Sequence, residues 1–177
     1  VAPGMPAPQL AEKLSTFIPP ALMRRVLLPP GEVSFAQLAA ALARGLQDLH
    51  GRQGLDLQIQ RLDGGACRIA LGYHDAQASM MALEVGLELA TAFFNEAGGR
   101  RVDLQPIEAR MQKLASVLMM HQPDSTTRAL IHAARARGIP VSAVSPGSRI
   151  WLYGQGRAGF HGFVAASHQD SLTGFNL

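Results

Sequence analysis

A chain of 177 residues with 47% apolar and 16% charged residues is long enough to bury one core and too apolar to be disordered. Its net charge of +3 and pI near 9.6 come almost wholly from arginine, fourteen against two lysines. The arginines are scattered and no aromatic residues are interleaved with them, which argues against nucleic-acid binding and for a mild attraction to carboxylates or phosphates. No apolar run reaches the ~18 residues of a membrane span, and the first residues lack the basic and apolar regions of a signal peptide. One cysteine, Cys67, cannot form an internal disulfide, which suits a reducing compartment; a cytoplasmic protein is expected.

Residues 1–18 read as a flexible arm, 19–170 as one domain, and 171–177 as the start of a connection to a following domain. Pro19-Pro20 and Pro29-Pro30 bracket a short turn-flanked element. Ser34 is placed to cap a helix whose Phe35, Leu38, Leu42, Leu46 and Leu49 form one apolar stripe. Leu55 to Gln60 and Cys67 to Tyr73 both alternate apolar with polar residues around Asp63-Gly64-Gly65, the pattern of a hairpin. Cys67 shares the face of Ile69 and Leu71, so a buried structural thiol is expected.

Asp75 opens a long helix to about Glu96, with Met80, Leu83, Leu87, Ala90 and Phe94 as its expected core face. Glu84 and Glu88, one turn apart on it, read as a solvated face. A second helix starts near Pro106 with Ile107, Met111, Leu114 and Leu118 on one side, and a third runs from Asp124 or Ser125 to Arg137, stopped by Gly138. Val141 to Val144, Arg149 to Tyr153 and Ala158 to Ala166 read as strands, with turns at Ser145-Pro146-Gly147 and Gly154-Gln155-Gly156. The expected fold is α/β or α+β, a mixed sheet with a central hairpin and three to four helices packed mainly on one face.

Candidate chemistry is sparse. His121, Asp124 and His132 could gather at one helix start, and His161 and His168 at strand ends, but no spacing enforces a metal site. There is no Gly-x-Ser-x-Gly elbow and no Gly-x-x-x-x-Gly-Lys-Ser/Thr phosphate loop. Arginine is the more informative residue. Arg128 and Arg135 lie seven apart, hence on one helical face, and guanidinium forks match carboxylates. Arg149 and Arg157 flank the strand and turn that follow.

From Ser125 to Gly156 the order Ala133-Ala134-Arg135, Arg137-Gly138-Ile139-Pro140-Val141, Trp151-Leu152 and Gly154-Gln155-Gly156 resembles the stretch before the ATP-grasp domain of cyanophycin synthetases. Leu46-Gln47-Asp48-Leu49-His50-Gly51, and Leu71-Gly72-Tyr73-His74-Asp75 through Leu89, look like further parts of that family's N-terminal domain. The resemblance covers roughly Phe35 to the C-terminus.

It implies a non-catalytic domain that holds a growing aspartate–arginine polymer or its primer beside ATP-dependent ligase domains. Arg128, Arg135, Arg149 and Arg157 are the expected contacts to backbone carboxylates. The implied partners are that cyanophycin-like polymer, the adjacent ligase domains and, as an option, further copies of the chain. No cofactor is expected in this domain; ATP and Mg²⁺ belong to the ligase domains. Two departures stand out. Where many members carry His-x-x-Glu-His on the helix after Ser34, this chain has Gln37, Ala40 and Ala41, which neither ligate zinc nor act as a base. The middle of the family's Gly-Tyr-Gly turn is Gln155. A residual metal-dependent peptide hydrolase and a purely structural or oligomerisation module are the alternative readings.

Overall fold

The computed structural model describes residues 4–51, 53–63, 66–145, 150–155 and 159–163, with Phe160–Phe163 as backbone. The fold is α+β, as the sequence pattern leads one to expect. In chain order the elements are β1 (Met5–Pro6), α1 (Ala7–Phe17), α2 (Pro20–Met23), β2 (Glu32–Val33), α3 (Phe35–Gln47), β3 (Leu57–Arg61), β4 (Cys67–Leu71), α4 (Ala76–Ala97), α5 (Gln105–His121), α6 (Ser125–Ala136), β5 (Val141–Ala143), β6 (Ile150–Tyr153) and β7 (Phe160–Phe163). The expected single mixed sheet is, among the described residues, three small antiparallel sheets: β1-β2, β3-β4 and β5-β6-β7. Within the 19–170 span read as one domain, contacts cluster in two compact units.

The first unit comprises Val1–Tyr73 and Ala78–Leu118. Its centre is α3. Ser34 and Gln37 close a reciprocal capping box, with the Ser34 N–H donating to Gln37 Oε1 at 2.9 Å and the Gln37 N–H to Ser34 Oγ at 3.4 Å. From Leu38 to Ala43 every side chain is buried, so α3 has little solvent face and is surrounded rather than docked.

The N-terminal arm is a correction. Residues 7–17 form helix α1, with Leu10 and Leu14, one turn apart, fully buried in the core with Leu22, Leu38 and Leu42. Pro8 sits in the first turn, where its missing N–H costs nothing. The i, i+4 leucine pair outweighs the Pro- and Ala-rich composition of the start.

The face of α4 is a second correction. Met80 is 59% and Leu87 37% exposed, while Ala78, Ala82, Val85, Leu89, Ala90, Ala92 and Phe93 are buried. This helix is apolar around most of its circumference, so periodicity alone does not select a face; close packing does. A Cβ added at Gly86 would come within 2.8 Å of both Ala39 O and Ala43 N, so α4 meets the α3 backbone at its smallest residue. On α5, Ile107, Leu114 and Leu118 are buried as expected. Arg110 reaches across from α5 to both Glu84 (2.6 Å) and Glu88 on α4, so these glutamates carry an ion-pair clamp rather than a purely solvated face.

The expected hairpin forms from β3 and β4, with Leu57 opposite Leu71 and Ile59 opposite Ile69, and it contacts α3. Cys67 is exposed, a third correction. It pairs with Arg61 at the turn end of the ladder, whereas Ile69 and Leu71 on the same face are half-buried.

The second unit comprises His74–Gln77 and Met119–Leu177. Here α6 starts at Asp124, whose Oδ1 accepts the Thr127 N–H at 2.7 Å, and ends at Gly138, with φ 72°. Strands β5, β6 and β7 form a meander with Ala143 opposite Trp151 and Trp151 opposite Gly162. Thr127, Ile131, Ala134 and Trp151 are its buried side chains of helix and sheet. Among the described residues no helix is long and apolar enough to cross a membrane.

Candidate functional site

Among the described residues of the second unit, several chemistry-bearing side chains lie on α6 or against it. One stripe of that helix, Thr127, Ile131 and Ala134, is buried. The neighbouring stripe, at the same i, i+4, i+7 spacing, is Arg128, His132 and Arg135. Arg128 is half-buried, whereas His132 and Arg135 are exposed. At a rise of ~1.5 Å per residue the two arginine positions are about 10 Å apart along the axis, with the imidazole between them. Neither arginine forms an ion pair among the described residues. Arg137, at the helix end, instead donates to Ala133 O at 3.0 Å and so serves the C-terminal carbonyls.

Behind the stripe lies a layer of rings. The His132 ring is edge-on to His74, with centroids 6.2 Å apart, and His74 is edge-on to Trp151 at 6.1 Å. His74 is 7% and Trp151 2% exposed. The indole Nε1 of Trp151 is buried with no hydrogen-bond acceptor among the described residues. Beside this layer Asp75 Oδ2 faces His121 Nδ1 at 3.4 Å, at ion-pair distance but outside hydrogen-bond alignment. Tyr153 follows on β6; burial first, and the Asp124 carboxylate second, push its hydroxyl pKa above the ordinary tyrosine value.

Of the sequence-predicted contacts, Arg128 and Arg135 do share one face of α6. Arg149 and Arg157 lie outside the described residues, as do the turn residues Pro146, Gly147 and Gly156, and His168. The imagined grouping of His121, Asp124 and His132 is re-sorted: His121 faces Asp75, Asp124 caps α6, and His132 joins His74. No group of three or more His, Cys, Asp or Glu is placed to hold a metal ion among the described residues. His132 was missed as a member of the arginine stripe, though its i+4 spacing from Arg128 is legible. His74 and Trp151 carry no sequence signal that they meet.

On α3, Ala40 is fully buried and Ala41 is 3% exposed, and Gln37 is engaged in the capping box. The positions where the resembled family carries His-x-x-Glu-His are therefore filled by core methyl groups and a cap. A cationic, acceptor-poor helix face of this kind can bind carboxylates or phosphates by charge-assisted hydrogen bonds, and it presents no nucleophile with a matched base. No protein-family model matches the chain, and no curated protein matches it.

Proposed function

We propose that this chain is a binding domain that holds a carboxylate-rich peptide polymer, of the aspartate–arginine kind, beside ATP-dependent ligase domains. The observation that carries the reading is the Arg128–His132–Arg135 stripe, with its arginines unpaired to carboxylates among the described residues. Repeating carboxylates along an extended chain match repeating guanidinium groups along a helix, each solvent-exposed contact worth about 0.2–1 kcal/mol, so that affinity comes from repetition. Arg149 and Arg157, close in sequence to the adjoining sheet, extend the same set. Tethering raises the local concentration of polymer ends to the millimolar range without any chemical step in this domain. ATP and Mg²⁺ are assigned to the ligase domains. The resemblance to the N-terminal domain of cyanophycin synthetases supports the same reading, and the packing of Ala40 and Ala41 in the core of α3 favours it over a residual metallohydrolase.

The test is retention of a soluble aspartate–arginine polymer by the chain, measured by isothermal titration at two salt concentrations. Saturable binding that weakens with salt, and falls at least about tenfold in Arg128→Ala/Arg135→Ala, is the expected result. No binding at millimolar repeat concentration leaves a structural module instead. Shortening of the polymer together with stoichiometric zinc restores the hydrolase.

A further inference from the structure

Strands β3 and β4 make a two-stranded ladder, so among the described residues each has one side with no strand beside it. Two hydrogen bonds fix which backbone groups point outward. The Leu62 N–H donates to Ala66 O at 2.9 Å at one end of the ladder, and the Gly72 N–H to Asp56 O at 2.8 Å at the other. Opposed pairs in an antiparallel ladder alternate between bonded and non-bonded, so the bonded pairs between those ends are Gln60 with Arg68 and Gln58 with Ala70. The N–H and C=O groups of Cys67, Ile69 and Leu71 therefore face away from β3, and those of Leu57, Ile59 and Arg61 away from β4. Among the described residues, no backbone hydrogen bond from outside the hairpin reaches these six.

The two edges differ in how they are guarded. On β3, Arg61 shares the face of Leu57 and Ile59, an inward charge of the kind that keeps edges apart. On β4 that face carries Cys67, Ile69 and Leu71, and the strand has no proline and no bulge in its five-residue register. Its one charge, Arg68, lies on the other face, exposed beside Ala70. Such an edge matches itself. Turned about a twofold axis at Ile69, β4 sets Ile69 against Ile69 of a second copy, Cys67 against its Leu71, and Arg68 against its Ala70. All three outward-facing residues then exchange hydrogen bonds, and no like charges are opposed. Centring on Arg68 would oppose two guanidinium groups, and centring on Ala70 would carry Cys67 past the end of the partner strand. We propose that β4 is a homodimer interface, joining two hairpins into a four-stranded antiparallel sheet, β3-β4-β4-β3, centred on Ile69. A lone hairpin is marginal in water, and the added strands supply the pairing it lacks. Five residues a side make a small interface of the transient class. It lies in the first unit and uses none of the α6 residues, so it stands or falls independently of polymer binding.

The test is sedimentation equilibrium of the full chain from about 5 μM to 1 mM, with a dissociation constant of roughly 50–500 μM expected. Ala70→Lys opposes a lysine to Arg68 twice per dimer and should weaken association at least about threefold. Ala70→Glu puts a carboxylate there and should strengthen it by about the same factor. Ala70 is exposed, so neither change disturbs the fold, which circular dichroism checks. The register is read by mild oxidation in a Cys67→Ser background. Chains with Arg68→Cys and with Ala70→Cys should form a disulfide dimer when mixed, because these positions are opposed as a non-bonded pair with Cα atoms about 4.5 Å apart. Each alone should not, because the two copies of residue 68, or of residue 70, lie about 8 Å apart, beyond disulfide reach. The proposal is overturned if the chain stays monomeric at about 1 mM, which leaves the edge to a different strand. It is equally overturned if Ala70→Lys and Ala70→Glu associate alike, or if either single cysteine chain cross-links as fast as the mixture.

Discussion

Asp75 Oδ2 lies 3.4 Å from His121 Nδ1, which ties the turn before α4 to the last residue of α5 within the second unit. The Asp75 side chain is 6% exposed and that of His121 22%, so water cannot fully replace either partner. His121→Ala is expected to cost about 0.5–1.5 kcal/mol, the net worth of one contact between largely buried polar groups. Urea unfolding at neutral pH measures it. A shift under about 0.3 kcal/mol would mean that the pair contributes nothing to stability.

Gly86 gives a sharper case. A methyl group there would come within 2.8 Å of the carbonyl oxygen of Ala39 and the amide nitrogen of Ala43, both backbone atoms that cannot rotate away. Gly86→Ala gains helix propensity of about 1 kcal/mol and must force α3 and α4 apart, so a net loss of about 1–3 kcal/mol is expected. The thermal midpoint should fall; a rise would show that the helices separate freely.

The Arg110 clamp on Glu84 and Glu88 is the opposite case, a surface interaction with 44% of the arginine side chain exposed. Solvent screening limits it. Arg110→Ala should cost about 0.5–1 kcal/mol at low salt and less at about 1 M salt. A double-mutant cycle with Glu84→Gln isolates the pairwise part, and salt-independent destabilisation would point to lost packing instead.

Tyr153 sets an alkaline limit. Its folded pKa is raised, by burial and then by Asp124, above the unfolded value of about 10. The unfolded chain therefore releases this proton first as pH climbs. The stabilisation is fully present below about pH 10 and is lost as pH rises through the folded pKa. The stability difference between the native chain and Tyr153→Phe should be constant from about pH 7 to 9 and shift against the native chain above about pH 10. Ultraviolet titration of a Tyr73→Phe background reads the Tyr153 hydroxyl directly, and an unshifted midpoint would refute the assignment.

Much of the local structure was legible because it is set by neighbours in sequence. Ser34 and Gln37 are three apart, Asp124 and Thr127 likewise, and the caps they form define where α3 and α6 begin. The hairpin follows from period-two alternation in the two segments on either side of Asp63-Gly64-Gly65. The Arg128–Arg135 face is a consequence of helical pitch, and His132 could have been added by the same arithmetic. Where sequence reasoning failed, the pattern was degenerate or the partner distant. An α4 apolar on most sides offers several faces, and Gly86 against Ala39 and Ala43 chooses among them. Cys67 alternates correctly with Ile69 and Leu71 yet is exposed, because alternation names a face and not how deeply each position along it is buried.

By itself the sequence determined the rough extents of α3 to α6, the starts of α3 and α6, the hairpin and the spacing of the α6 arginines, all of which depend on chemistry within about ten residues. Only tertiary structure decided that α1 belongs to the core, that His74 lies between His132 and Trp151, and that Arg110 clamps two glutamates. Those relations join residues from 22 to 77 positions apart. No local periodicity encodes such distances; they are fixed by which apolar faces can bury one another at close packing.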